Sequence, residues 1–399
     1  MFIQILLAIL AGISAGIITG LIPGIHINLV SALLVSYYAV VSGIPEIFLI
    51  LFIIAMSITH TFLDSIPSIY LGVPDPDMAL SILPGHRMLL EGNGFLALKY
   101  TLYGSLAGLI VSVLLSPILI FGIPLLYELI KNYIGYILLF FVSLIFLKDR
   151  KRFLKNIFIF ILAGVFGVLA LSLNLKQPMF HLFTGLFGIS NLALSLNTSK
   201  LTKQKFSKII INVKHKISVF IATIVGIVAA FLPGMGSSQS AVLGMSLMKK
   251  KDTENPSVFL TFIGGINTVN MFVSLITFYT LQKARNGSVV ALREIVGSIN
   301  LPTLLLIIVS SLLIGSIGVF LGINISKIFS RLVEKINYKL LIISIISAIT
   351  ILSFIFDSFL GLMIIVIGTA IGIMTSKMQV AKSYLMGCLL VQVLIFFLL

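Results

Sequence analysis

The chain has 399 residues, 59% of them hydrophobic and 10% charged, with a mean hydropathy of +1.19. A soluble domain carries about a quarter charged residues, so the composition excludes a soluble globular protein and describes an integral membrane protein with little mass outside the bilayer. The net charge of +15 reads as lysine packed into cytoplasmic loops rather than a nucleic-acid surface, and a single cysteine, Cys388, excludes internal disulfides and cysteine metal clusters.

The N-terminus, Met1-Phe-Ile-Gln4, has no basic segment and is read as part of the first apolar run, not as a cleaved signal peptide. That run, Ile3–Ile22, stops at Pro23-Gly24, and a shorter arm, Asn28–Val41, follows. Proline removes a ladder donor and glycine adopts turn angles freely, so the pair breaks the helix. A helix predicted from Pro45-Glu46 to about Asp64 carries Ser57, His60, Thr61 and Asp64 at i, i+3, i+4 and i+7, on one face. Residues 65–94 are rich in proline and glycine and hold Asp75, Asp77, His86, Arg87 and Glu91, so they read as a structured loop and not a span. Apolar runs follow at Phe95–Phe121, Leu125–Leu147, Ile157–Leu173 and Met179–Leu196, before the lysine-rich stretch Lys200–Lys216.

In the second half, Ile217–Leu232 stops at Pro233-Gly234, and a short arm, Ser237–Met248, ends at Lys249-Lys250-Lys251. At ~1.5 Å per residue this arm covers about 18 Å, well short of a ~30 Å hydrocarbon core. A broken helix at that depth is tolerated only where its backbone is buried in protein or lines a watery cavity. Runs at Val258–Leu281, Leu301–Ile323, Leu340–Phe356, Phe359–Met374 and Tyr384–Leu399 complete the chain. Asp357 marks a turn on the outside; His181 and His215 read as interface residues.

The two breaks belong to a longer repeat. Gly16–Asn28 aligns with Gly226–Ser238 at an offset of 210, which is 233 − 23. Thr59-His60-Thr61 is matched with Ile266-Asn267-Thr268, and Asn93-Gly94, Ala97-Leu98-Lys99 and Gly104-Ser105 echo Asn286-Gly287, Ala291-Leu292-Arg293 and Gly297-Ser298. Their shared order argues for a duplication. With the basic loops 148–155, 200–216, 249–251, 327–339 and 377–382 in the cytoplasm, each half holds one re-entrant hairpin and about five spans, so the halves point in opposite directions. Lys283, Arg285 and Arg293 fall on the outside, against the rule. The expected fold is an all-α integral membrane protein, with residues 1–199 as the first inverted repeat, 200–216 as a basic cytoplasmic linker and 217–399 as the second repeat.

Past each break a helix begins with unpaired N–H groups, which favour an anion. The substrate-binding candidates are therefore Pro23, Gly24, His26 and Asn28 in the first hairpin, and Gly234, Gly236, Ser237, Ser238 and Gln239 in the second. The competing reading is that Asn28 and Ser237 only cap their own helices. His60 and Asp64 are candidates for a proton relay or a coupling-cation site, because ionisable groups inside a span face a cavity or a partner. Against this stands a placement of Asp64 in the headgroup zone. Asn267 and Asn270 are the matching polar residues of the second half, suited to Na+ or to interhelical hydrogen bonding.

With both hairpins placed, the chain resembles the TctA family, the large membrane subunit of tripartite tricarboxylate transporters. The resemblance rests on Gly20-Leu-Ile-Pro23-Gly24, on Ala230-Phe-Leu-Pro233-Gly234-Met-Gly236, and on the loop from Gly72-Val-Pro-Asp-Pro76 to Gly94 and Ala97-Leu98. His26 stands where that family usually has glycine, and Pro84-Gly85 replaces an Asp-Gly. The chain is also shorter than most members, as in a divergent, archaeal-type branch. What the resemblance implies, with the hairpins, is an ion-coupled secondary transporter of a small organic anion, a carboxylate before other anions, working by alternating access. The alternative is a carrier for a polyprenyl or dolichyl phosphate. An intramembrane enzyme using His26, His60 and Asp64 is the third option, and no enzyme activity is expected. No cofactor is expected beyond Na+ or H+ as coupling ion. The expected partners are the small anion or lipid phosphate, membrane lipids and a second copy in a homodimer, with no nucleic acid. The expected location is the cytoplasmic membrane.

Overall fold

A computed structural model describes residues 2–23, 25, 27–38, 44–73, 75, 77–148, 152–195, 202–232, 235–335 and 337–398. Among them the structure is helical throughout, with eight segments long and apolar enough to cross a membrane. Helix α1 (Phe2–Leu21) ends just before Pro23 and α2 (Ile27–Tyr38) starts just after the break. Helix α3 (Glu46–Leu63) does not stop at Asp64. It runs on through a π-helical turn, Pro67–Leu71, forming one segment, Glu46–Leu71. Pro67 has no N–H to give the ladder, which loosens the turn. The segment closes on Gly72 at φ +66, a left-handed position that suits glycine, while Val73 N donates to the Pro67 carbonyl.

Short α4 (Ile82–Leu90) leads to α5 (Gly94–Ile130), which absorbs Pro117 and Pro124 and runs past the expected end at Phe121, so that the second expected run begins later, at Ile134. Then come α6 (Ile134–Lys148), α7 (Phe153–Ser172), α8 (Pro178–Phe183) and α9 (Ser190–Ser195). The second half contains α10 (Val213–Phe231), α11 (Ser237–Leu247), short α12 (Lys250–Thr253), α13 (Pro256–Leu281), α14 (Gly287–Val296), α15 (Leu301–Lys335), α16 (Tyr338–Lys377) and α17 (Gly387–Leu398). The turn expected at Asp357 is a sharp kink in α16, with Ser358 at φ 50 and ψ −138. The Asp357 carboxylate takes the N–H groups of Lys176 and Gln177 and contacts His181 Nε2 at 2.7 Å. His181 is thus fully buried as a tie between α8 and α16 and not an interface residue.

Small residues set the packing. A Cβ built on Gly12 would stand 2.7 Å from the Ala55 Cβ, and one on Gly16 would stand 2.6 Å from the Thr59 Cβ. The contacts advance together along both helices, so α1 and α3 are parallel and nearly touching. The same pairs recur as Gly265 against Ala222 and Gly226 against Val269, which makes α10 and α13 parallel as well. Adding 210 to Gly12, Ala55, Gly16 and Thr59 lands on those four residues. Thr59 therefore matches Val269, and the expected pairing with Ile266 is three residues out of register; His60 corresponds to Asn270 and Asp64 to Ser274.

The two parallel pairs meet in opposite directions. Thr268 Oγ1 donates to Thr61 Oγ1 (3.1 Å) and Asn267 Nδ2 to Asp64 Oδ2 (2.6 Å), so α3 and α13 are antiparallel. Helix α5 lies along α13, with Gly104 against the Thr261 carbonyl; α15 lies along α3, with Gly315 and Gly318 against Phe62. Close approach of this kind is how helices associate where lipid offers no hydrophobic drive between them. Helix α13 is buried along its whole span, whereas α16 is mostly exposed and presents residues such as Phe359 and Val366 outward, as a lipid-facing surface should.

Candidate functional site

Where α3 and α13 cross, their polar residues face a cavity of about 630 Å3. Both broken helices reach it: Pro23 and Asn28 line it from the first, Gly236, Ser237 and Gln239 from the second. From the crossing helices come His60, Asp64, Asn267 and Asn270. The sequence-predicted residues thus converge on one space, with four exceptions. Ser238 is buried beside the cavity without lining it, and Gly24, His26 and Gly234 lie outside the described residues, as does Pro233.

Asp64 is 1% exposed and lies inside the segment Glu46–Leu71, so it does not stand at a helix end. Its Oδ2 accepts from Asn267 Nδ2, and its Oδ1 has no hydrogen-bond partner among the described residues. His60 Nδ1 meets Thr19 Oγ1 at 3.2 Å, and His60 Nε2 lies 3.9 Å from Asp64 and 3.5 Å from Asp75. One ligand atom each from His60, Asp64 and Asp75 falls within 4.8 Å of the others. Two carboxylates, an imidazole and nearby amide oxygens form a donor set fit for a cation or a shared proton.

Asp75 and Asp77 were read only as loop residues. The loop folds back into the site: Asp77 N–H donates to Asp75 Oδ1 (2.9 Å), and Asp77 Oδ1 accepts from Ser237 N–H at 3.0 Å. The N-terminus of α11 thus attracts a carboxylate, as expected, but the carboxylate is the chain's own. Ser237 does not cap its own helix; its hydroxyl donates to Asn267 Oδ1 (3.1 Å) and accepts from Asn270 Nδ2 (3.3 Å). A continuous polar path therefore joins Thr19, His60, Asp75, Asp77, Ser237, Asn267 and Asp64. One clue was available in the sequence. Only 12 acidic residues occur in the chain, and two stand at positions 75 and 77.

The missed basic residue is Arg285. It lines the cavity with Asn286 and Gly287, and Lys176 lines it too. The Arg285 guanidinium rests over the Tyr127 ring, 5.6 Å from its centroid, while its Nε and Nη2 are buried with no partner among the described residues. By sequence it falls on the outside against the basic-loop rule; in three dimensions it is a cation in the wall of the site.

The family model "Tripartite tricarboxylate transporter TctA family" matches residues 6–387. The chain belongs to this family. It is therefore a multi-pass membrane protein of a transporter family whose members work with further tripartite subunits. It is 31% identical over 378 residues to the uncharacterized protein MJ1079 of Methanocaldococcus jannaschii, covering 92% of each chain. No solved structure matches it.

Proposed function

We propose that this TctA-family protein is an ion-coupled secondary transporter of a small organic anion, a carboxylate before others, working by alternating access in the cytoplasmic membrane. The observation that carries the reading is the single cavity shared by both broken helices, with the His60–Asp64–Asp75 group at its floor and Arg285 in its wall. Arg285 is the residue that meets the substrate carboxylate, since a guanidinium fork pairs with a carboxylate in two bonds. The cation binds between Asp64 and Asp75 beside His60, where the bare Asp64 Oδ1 is an unused ligand atom. Neutral pairs at this site would need no such orphaned oxygen.

The packing supports the inverted-repeat architecture. Helices α1 and α3 are parallel, so the short α2 between them brings the chain back to the face where α1 began; α11 does the same between α10 and α13. The α1–α3 pair then opposes the α10–α13 pair, which is the relation that residues 1–199 and 217–399 bear as inverted repeats flanking a linker at 200–216.

The test is uptake of labelled citrate, succinate and other di- and tricarboxylates into proteoliposomes, with imposed Na+ and pH gradients, in wild type and Asp64→Asn. Loss of Na+ stimulation with retained substrate binding identifies a cation site. Loss of the pH response instead identifies a proton relay. Unchanged gradient dependence in Asp64→Asn refutes coupling at this residue. Failure of all carboxylates to enter, together with binding of a polyprenyl phosphate, moves the function to a lipid carrier.

A further inference from the structure

A second cavity, of about 640 Å3, lies at the other end of the molecule and is not used by the reading above. Two helices fix its location. Arg152, which lines it, stands immediately before α7, whereas Lys176, which lines the first cavity, follows that helix. Lys250 and Glu254 line it just before α13, and Arg285 lines the first cavity just after. Helices of 20 and 26 residues separate the two sets. At ~1.5 Å per residue these cover about 30 and 39 Å, so the cavities open on opposite faces of the membrane. The second opens on the face with the lysine-rich loops, the cytoplasmic one by the positive-inside distribution.

The charges in this cavity do not balance. Arg87 pairs with Glu91, and Lys250 approaches Glu254 at 4.0 Å. Burial pushes the His86 imidazole below its ordinary range, so it adds no positive charge at neutral pH. Two basic groups remain. Lys382 is 7% exposed, and its Nζ donates to Ser190 Oγ (2.8 Å) and to Asn191 Oδ1, both neutral. Arg152 reaches the Gln379 carbonyl and the Gln379 Oε1, again neutral. Among the described residues no carboxylate lies within ion-pair distance of either. The Asn191 side-chain nitrogen, on a residue 7% exposed, has no partner at all among them. A lysine is rarely buried without a counter-charge, and one that is gives up its proton more easily; an anion in the cavity would hold Lys382 in its charged form.

We propose that this cavity is a cytoplasmic-face oxyanion site, in which Lys382, Arg152 and the Asn191 amide take up a carboxylate or phosphate. Two basic groups without carboxylates and a spare amide donor define the chemistry. The same groups accept a soluble anion at the exit face or the phosphate of an anionic lipid.

The test begins from Arg285→Ala, so that the first cavity does not contribute, and adds Lys382→Met. Binding of citrate and of inorganic phosphate is measured by calorimetry in a neutral detergent. Retention of phosphatidylglycerol is measured by native mass spectrometry. Binding of either soluble anion that weakens at least about thirtyfold in Lys382→Met supports the site with a soluble ligand. Phosphatidylglycerol retained by the parent and lost from Lys382→Met supports it with a lipid ligand. A second readout does not need a ligand. Methionine removes an unpaired buried basic group, so the ligand-free variant should unfold at a higher temperature than its parent, whereas loss of a merely structural lysine would lower it. Equal binding of all three probes before and after the substitution, or no binding of any, overturns the proposal.

Discussion

Replacing Gly236 tests the joint between α11 and the acidic loop. A Cβ at this position stands 2.8 Å from Gln239 Oε1 and 3.2 Å from Asp77 Oδ1. The glutamine oxygen ends a flexible side chain and can swing away. The Asp77 oxygen is held by the Ser237 N–H at 3.0 Å, and moving it breaks that bond. Gly236 itself sits at φ −79 and ψ 176, ordinary extended backbone, so any effect is steric and not conformational. Alanine should therefore transport with a small loss. Valine adds two methyl groups beside Asp77 and should detach it. A hydrogen bond to a charged group contributes about 1.5–3 kcal/mol, equivalent to roughly 10- to 150-fold in apparent affinity for substrate or coupling ion if the joint holds the site in shape. The assay is concentration-dependent uptake in proteoliposomes, with size-exclusion profiles to show that both variants fold. Wild-type KM and maximal rate in Gly236→Val would refute the argument, since the loop and α11 would then be free to separate without consequence.

Arg285→Ala should raise the KM for substrate far more than it lowers the maximal rate, and Arg285→Lys should recover only part of the loss, because lysine keeps the charge and loses the fork; equal uptake in all three would place the anion elsewhere. A Cβ on Gly104 would stand 1.9 Å from the Thr261 carbonyl, a backbone atom on the fully buried α13, so Gly104→Ala should cost about 1–3 kcal/mol or more of stability, seen as a lower unfolding temperature in detergent. Burial holds His86 below the ordinary imidazole range, so on acidification the unfolded chain takes up this proton first, at about pH 6.5, and stability falls as pH drops below that value. His86→Gln should flatten the unfolding temperature between about pH 7.5 and 5.5; an unchanged slope would show that another group controls it.

Composition and local rules made much of this protein legible. The 59% hydrophobic content specifies a membrane protein, since nothing else can solvate so much apolar surface. Pro23 and the Pro233-Gly234 pair announce breaks because proline has no N–H and glycine no Cβ, whatever surrounds them. The i, i+3, i+4, i+7 spacing put His60, Thr61 and Asp64 on one face, and all three do line the cavity. The offset of 210 was visible around Gly16 and Gly226, where glycine is required by a close helix contact.

What lay beyond reach depended on contacts between distant segments. The register of α3 against α13 was misjudged by three residues, because a short polar triplet aligns by chance while a Gly–Ala contact between helices does not. The π-helical extension through Pro67–Leu71 was read as loop, since proline breaks a helix in the general case and here is absorbed by a wider turn. Asp75 and Asp77 gave no signal of their role beyond the scarcity of acidic residues in the chain. They enter the site only because the loop folds back 160 residues from Ser237 in sequence to cap its helix. Arg285 likewise became a site residue only when the end of α13 was placed over the broken-helix tips. Local chemistry is written in the sequence because it acts between neighbours. A charge's partner, or its lack of one, is decided by the fold, because the cost of burying it depends on what the rest of the chain brings within a few ångströms.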